Sequence, residues 1–307
     1  MRGSEVIRLS VFFDHILQAE EQTGKHIPEL LAEVKKAGIS AVEINRTYLL
    51  EHPATLEMLE TAGLQVSCIY EFYALERGRE TEKARRHIEI ARKTKAGKIL
   101  IVPGFFSVEA EEFVNCVPDR EKVWDYLSHS EKAQRMADGL REIVEMAGSR
   151  NIADTPITVV IEDFDDRNSP IACVSGMQWF AEQVPGLCFT FDTGNFIIHG
   201  ENIFAAWEEL KDKVVHVHCK DRKISSDKPL QTQKNATPDI KECYLPAAVG
   251  EGCIPIKELV YKMKEYGYRG YLAIEHFDAA DQEVYMQKSA ANLQEYCSQT
   301  GMEIYTK

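Results

Sequence analysis

The ten residues Lys95-Ala96-Gly97-Lys98-Ile99-Leu100-Ile101-Val102-Pro103-Gly104 read, in order, as a helix end, a glycine and a short apolar strand. The glycine suits a helix C-terminus that needs a left-handed residue before the chain becomes extended. The strand is continuously apolar, as parallel strands buried on both faces are. The same unit returns at K-K-A-G-I-S-A-V-E-I (35–44), E-T-A-G-L-Q-V-S-C-I-Y (60–70), Q-V-P-G-L-C-F-T-F-D (183–192) and E-Y-G-Y-R-G-Y-L-A-I-E (265–275). Apolar runs at 7–13, 156–163 and 213–219 bring the expected strands to eight. Helical spacing fills the gaps, with apolar residues at three- and four-residue steps over 29–34, 133–146 and 203–210.

Eight such units in 307 residues predict one α/β domain over 1–307, a closed (β/α)8 TIM barrel. A doubly wound open sheet is the competing architecture, but no G-x-G-x-x-G follows the first strand. Long loops are expected after strand four (105–130) and strand seven (221–252). Both leave the C-terminal ends of strands, where barrel enzymes build their active sites, so substrate lids are expected there.

The 36 basic and 49 acidic residues give a net charge of −13, which argues against a protein that grips phosphate backbones. Eight cysteines show no C-x-x-C pair, and several lie in apolar runs such as Leu187-Cys188-Phe189. They read as reduced, packed thiols. No apolar run has the length of a membrane span, and Met1-Arg2-Gly3-Ser4 does not open a signal peptide. The expectation is a cytoplasmic protein with neither a nucleic-acid nor a membrane partner.

The last four principal strands end alike: V-V-I-E-D-F places Glu162, F-T-F-D-T-G-N places Asp192, V-H-V-H-C-K-D places His218 and L-A-I-E-H-F places Glu275. Any one of these acids could cap a helix or pair with a base. Three carboxylates converging on one rim would repel one another, and a divalent cation would neutralise them. The set therefore reads as one metal site. Oxygen-rich donors with one nitrogen suit Mn2+ best, with Mg2+, Co2+ or Zn2+ as alternatives.

Alternation along strand seven puts His216, His218 and Lys220 on one face and Cys219 on the other. Lys220 is read as a cationic clamp on substrate, and His216 as a partner of the site or a core histidine. Glu43, in A-V-E-I-N-R, is read as a ligand for substrate hydroxyls or as half of a buried ion pair with Arg46 or a neighbouring strand. Tyr70, in C-I-Y-E-F-Y, is a further substrate-binding candidate, and Phe72, Tyr73, Phe105 and Phe106 are read as a pocket wall. His276 should face away from Glu275.

These endings, with H-x-K-D after strand seven and G-E-G-C-I-P-I-K-E-L (250–259) before the last, resemble the xylose-isomerase-like barrels. More closely, they are similar to the sugar phosphate isomerase/epimerase family, with its tagatose/psicose 3-epimerases, hydroxypyruvate isomerase and inosose enzymes. The resemblance implies one divalent metal held by Glu162, Asp192, His218 and Glu275, with Glu162 and Glu275 as the acid/base pair. It implies a sugar or polyol substrate and a homo-oligomeric assembly. The expected reaction is isomerisation or epimerisation by proton abstraction beside a carbonyl, through a metal-stabilised enediolate. A lyase on the same scaffold, dehydrating an inosose or eliminating from a 3-keto-C-glycoside, is the alternative. Many members carry histidine where this chain has Asn195, which can bind a substrate hydroxyl but cannot shuttle a proton. An endonuclease IV-like phosphodiesterase would need additional histidines and a basic groove.

Overall fold

The computed structural model describes residues 6–106, 110–117, 119–148, 156–225 and 243–304. The strands among them are β1 (Val6–Phe12), β2 (Ala41–Asn45), β3 (Gln65–Phe72), β4 (Lys98–Val102), β5 (Thr158–Glu162), β6 (Cys188–Asp192), β7 (Val214–Ile224), β8 (Tyr244–Ala247), β9 (Tyr271–Glu275) and β10 (Glu303–Ile304). All five helix–glycine–strand glycines are left-handed, with φ of 85° at Gly38, 68° at Gly63, 71° at Gly97, 90° at Gly186 and 86° at Gly267. A side chain at any of them would be strained, so glycine punctuates each return from helix to sheet.

The chain packs as two compact units. One comprises residues 1–43, 54–65 and 216–307. Its parallel strands run in the order β2, β1, β9, β7. The two-residue β10 pairs with the start of β1, and β8 runs antiparallel along the end of β7. Leu9, Val11 and Ile274 are wholly buried there. The helix Gln282–Thr300 is capped by Asp281, which accepts from Val284 N at 3.1 Å, and it buries Met286, Ala290 and Leu293. Each fully buried Leu or Ile contributes about 1.5–3 kcal/mol.

The other unit, residues 44–53 and 66–215, carries β3, β4, β5 and β6 as parallel neighbours. Ile99, Ile101, Val160 and Phe191 fill its interior. Its helix Ile203–Leu210 is capped by Asn202, which accepts from Phe204 N and Ala205 N, and turns Ala206, Trp207 and Leu210 inward.

The two expected long loops depart from that description. Residues 105–130 include the helices Ala110–Cys116 and Arg120–His129. The second is capped by Asp119, whose carboxylate accepts from Glu121 N and Lys122 N. Strand seven does not stop near Cys219 but continues to Ile224, because β8 pairs with its last four residues. The rest of that expected lid, 226–242, lies outside the described residues, as do 107–109 and 118 of the first. Among the described residues, which include all eight cysteines, there is no disulfide. Among the described residues, no helix is long and apolar enough to cross a membrane.

Candidate active site

Two clusters of ionisable side chains gather at strand ends, one in each unit. The first is built on β2, β7 and β9. His216 and His218 share a face of β7, as alternation demands, and both are wholly buried. Their Nε2 atoms lie 2.8 and 3.0 Å from the same oxygen, Glu43 Oε2. The other edge of His218 meets a second carboxylate, with Nδ1 3.1 Å from Glu275 Oε2. Glu275 Oε1 is in turn 2.6 Å from Lys220 Nζ. The chain of charges thus runs Glu43, His218, Glu275, Lys220, with His216 as a branch.

Electrostatics follow from that order. Burial alone would push Glu43 up, but His218 and His216 outweigh it and hold the carboxyl at about 2. Burial would likewise raise Glu275, and Lys220 and His218 bring it well below the usual carboxylate range. Phe12, which pairs with Glu43 in the β1–β2 register, closes over His218 edge-on at 4.9 Å.

Behind Glu275, His276 faces away as expected. Its ring stacks on His15 at 4.5 Å, and its backbone N–H donates to His15 Nε2 at 2.9 Å. Burial is the main reason both imidazoles are pushed down, His276 to about 4. Asp221, from H-x-K-D, organises the next turn. Its Oδ1 accepts from Arg222 N and Ile254 N, and its Oδ2 from Gly250 N and Gly252 N, at 2.8–3.1 Å. A side chain at Gly252 would collide with that carboxylate and with the carbonyl of Arg222. The two sequence motifs, H-x-K-D and G-E-G-C-I, are one structural element.

The second cluster is built on β5 and β6. Glu162 ends β5 and Asp192 ends β6, both buried. Between them the sequence supplies Asp163, wholly buried, whose Oδ1 accepts from Asp192 N at 2.8 Å. Asp163 Oδ2 has no hydrogen-bond partner. Burial, then Asp192 and Glu162, push its carboxyl well above the ordinary range. Asp192 Oδ1 accepts from Gly194 N at 2.7 Å, which shapes the T-G-N turn after β6.

Several expected contacts change. Glu43 does not pair with Arg46, which instead meets Glu71 Oε2 at 3.2 Å beside Thr47. Glu43 is 0% exposed and faces two histidines, and His216 is as deeply buried on the same carboxylate oxygen. Asn195 is 1% exposed and donates its amide to Asp163 O at 2.7 Å, so it braces the acidic cluster. Lys220 binds Glu275 directly, and Tyr70 is buried with its ring 6.4 Å from Phe72.

The aromatic wall divides. Phe72, 43% exposed, and Phe105 both meet Phe164 edge-on, at 5.9 and 5.6 Å. Tyr73 and Phe106 are core: Tyr73 Oη lies 3.1 Å from His87 Nδ1, and Phe106 packs on Phe113 at 5.4 Å.

Residues 31–296 match the family of xylose isomerase-like TIM barrels. The chain belongs to that family, and its fold is the (β/α)8 barrel expected from eight strands. An inosose dehydratase of Bacillus licheniformis is 23% identical over 267 residues, covering 82% of this chain and 81% of that protein. One from Clostridium beijerinckii is 20% identical over 254 residues, 80% of each. Among solved structures, an L-ribulose 3-epimerase superposes with a TM-score of 0.66 at 15% identity, covering 96% of both chains. A probable 3-DHS dehydratase from Bacillus anthracis gives 0.65 at 14% identity, over 94% of this chain and 99% of that one.

Proposed function

We propose that this protein is a divalent-cation-dependent enzyme that abstracts a proton beside a carbonyl of a sugar or polyol and returns it, as an isomerase or epimerase. In this reading residues 1–307 act as one catalytic domain, and Glu162, Asp192, His218 and Glu275 share one ion. The observation that carries the reading is the donor set: three carboxylates, each the last residue of its strand, and one imidazole from within β7, all buried. Hard oxygens with one nitrogen are the chemistry of Mn2+, Mg2+ or Co2+, with Mn2+ as our choice. The upward push on Asp163 by its acidic neighbours also fits, because a cation relieves such repulsion. When bound, the ion would supply Lewis acidity to the substrate carbonyl.

The protein's own residues do the proton work. One of Glu162 and Glu275 removes the proton and the other returns it, to the opposite face for epimerisation or to the neighbouring carbon for isomerisation. Lys220 and His218 keep Glu275 ionised, and therefore basic enough only when the substrate draws Lys220 away. Lys220 remains the candidate clamp for a substrate oxygen, and Tyr70 a candidate neighbour. The match to the family across both units supports the single-domain reading.

A second reading is elimination. The abstracted proton is followed by loss of a hydroxyl from the next carbon, which leaves as water with a proton from the second glutamate. The two inosose dehydratase relatives favour it, and so does Asn195, which braces Asp163 and cannot carry a proton.

Protein purified without chelator should hold one divalent ion per chain. Ketoses, inososes and 3-keto-glycosides incubated in D2O and followed by NMR then separate the outcomes. Deuterium wash-in with retention of all oxygens identifies the isomerase or epimerase, and loss of water or aglycone identifies the lyase. Absence of exchange on every substrate would remove the proton-abstraction reading.

A further inference from the structure

Two strands, β1 and β9, stand between Glu43 on β2 and β7, yet one of its oxygens meets both histidines of β7. We infer that Glu43 is a positioning residue for the nitrogen donor: it anchors His216 and His218 through their Nε2–H groups and reserves the Nδ1 edge of His218 for the cation. This inference rests on the metal reading of the site given above.

The geometry leaves little choice of arrangement. An ionised carboxylate oxygen carries no hydrogen, so each nitrogen 2.8–3.0 Å from it must donate. Both Nε2 atoms are therefore N–H. The remaining His218 nitrogen, Nδ1, lies 3.1 Å from Oε2 of Glu275, a proposed ligand, but does not donate to it. Among the described residues that Oε2 accepts no hydrogen bond, so this edge, unlike the Nε2 edge, is not committed to a proton. The two rings stand nearly perpendicular, 84° apart at 5.3 Å, so one oxygen receives them from two directions. Phe12 covers the His218 ring and prevents it from swinging free. Among the described residues Glu43 Oε1 accepts no hydrogen bond, and the bonds the carboxylate does accept come from the two imidazoles. Metal-binding histidines commonly have the second nitrogen fixed by a carboxylate in this way, and losing that carboxylate weakens the metal 10–100-fold.

One rival uses the same atoms. Glu43, His216 and His218 offer ligand atoms within 4.8 Å of one another and could themselves grip an ion. Separations of 2.8 and 3.0 Å are hydrogen-bond lengths, and both nitrogens are already satisfied by the one carboxylate oxygen without an ion between them.

The test uses the full chain labelled with 15N-histidine and loaded with diamagnetic Mg2+, alongside metal-free protein. The wild type should show two slowly exchanging Nε2–H protons, with His218 Nδ1 bare in the loaded form. In E43A both signals should be lost to exchange, and the Kd for Mn2+ should rise about 10–100-fold. E43Q keeps an acceptor oxygen and should retain the signals with a smaller rise in Kd, so it serves if E43A does not fold. A His218 protonated at Nδ1 in loaded protein would overturn the inference, as would an E43A variant with both signals and Kd unchanged. So would two ions per chain with loss of the Nε2–H signals on loading, which would make the cluster a metal site. If the wild type binds no ion, the proposed function fails by itself. Loss of the Nε2–H signals from metal-free E43A would then still show the anchoring, and their survival would end it.

Discussion

In the unit built on β1, β2, β7 and β9, each buried carboxylate faces side chains of opposite character: Glu43 meets His216 and His218, and Glu275 meets His218 and Lys220. In the unit built on β3 to β6, Glu162, Asp163 and Asp192 put three acids together, and Asp163 is driven upward by burial and by the other two. In the first cluster each carboxylate is met by side chains of the chain itself, which sets its geometry. The second is met only in part, by Asp192 N on Asp163 Oδ1 and Gly194 N on Asp192 Oδ1, and its like charges would be eased by a cation. A protein that needed only stability would gain more from apolar side chains at these positions.

The largest effect that would sharpen this contrast is catalytic. E162Q and E275Q should each lower turnover by roughly 10^2–10^4-fold while circular dichroism and thermal unfolding show a folded protein. E275Q removes a member of the balanced cluster, so it should also lower stability, whereas E162Q relieves the acidic one. Equal stability losses in the two variants would break the distinction.

Next in size is the balanced unit's own scaffold. D221A deprives four backbone N–H groups of their acceptor and should cost about 3–5 kcal/mol in urea unfolding. A change under about 1 kcal/mol would show that the 250–254 turn holds itself without the carboxylate.

A pH profile probes the other unit. His87 lies on the helix Thr81–Thr94, bound to Tyr73 Oη and facing Ile69 O at 3.1 Å, and burial pushes it down to about 3. The unfolded chain takes up this proton near 6.5 and the folded chain only near 3. Stability from neutral His87 is therefore full above pH 6.5 and is lost as pH falls from there toward 3. H87Q should remove that acid-side loss of stability, roughly 5 kcal/mol over the whole range. An unchanged slope would mean that the ring ionises in place.

The smallest expected effect is the most specific. D163N removes one of three like charges and should stabilise chelated protein by about 1 kcal/mol, an advantage that disappears when a divalent ion is added. Destabilisation with and without the ion would mark Asp163 as a hydrogen-bonding residue alone.

Much of the fold was legible because β4, β5, β6 and β9 are short, apolar and preceded by turn or helix-end signals that sequence rules recognise. The four principal side chains were legible because each follows an apolar run as an ionisable residue. Glu43 was singled out, but its partners lie 173 and 175 residues away, and no local pattern encodes such a pairing. Asn195 stands at its anticipated turn yet bonds the backbone of Asp163, a choice made by tertiary packing. The helix Arg120–His129 was missed although Asp119 gives a cap signal, and Val123 and Leu127 are its buried pair. Aromatic and acidic residues around it drew the reading toward a loop.

The grip of Asp221 on Gly250, Gly252 and Ile254 ties two points of the chain nearly thirty residues apart in sequence with one side chain. That carboxylate acts as a buckle beside the β7–β8 ladder: the pairing that begins at Asp221 and Ala247 is held shut at this end by a side chain as well as by its own backbone bonds, on the strand that carries His218.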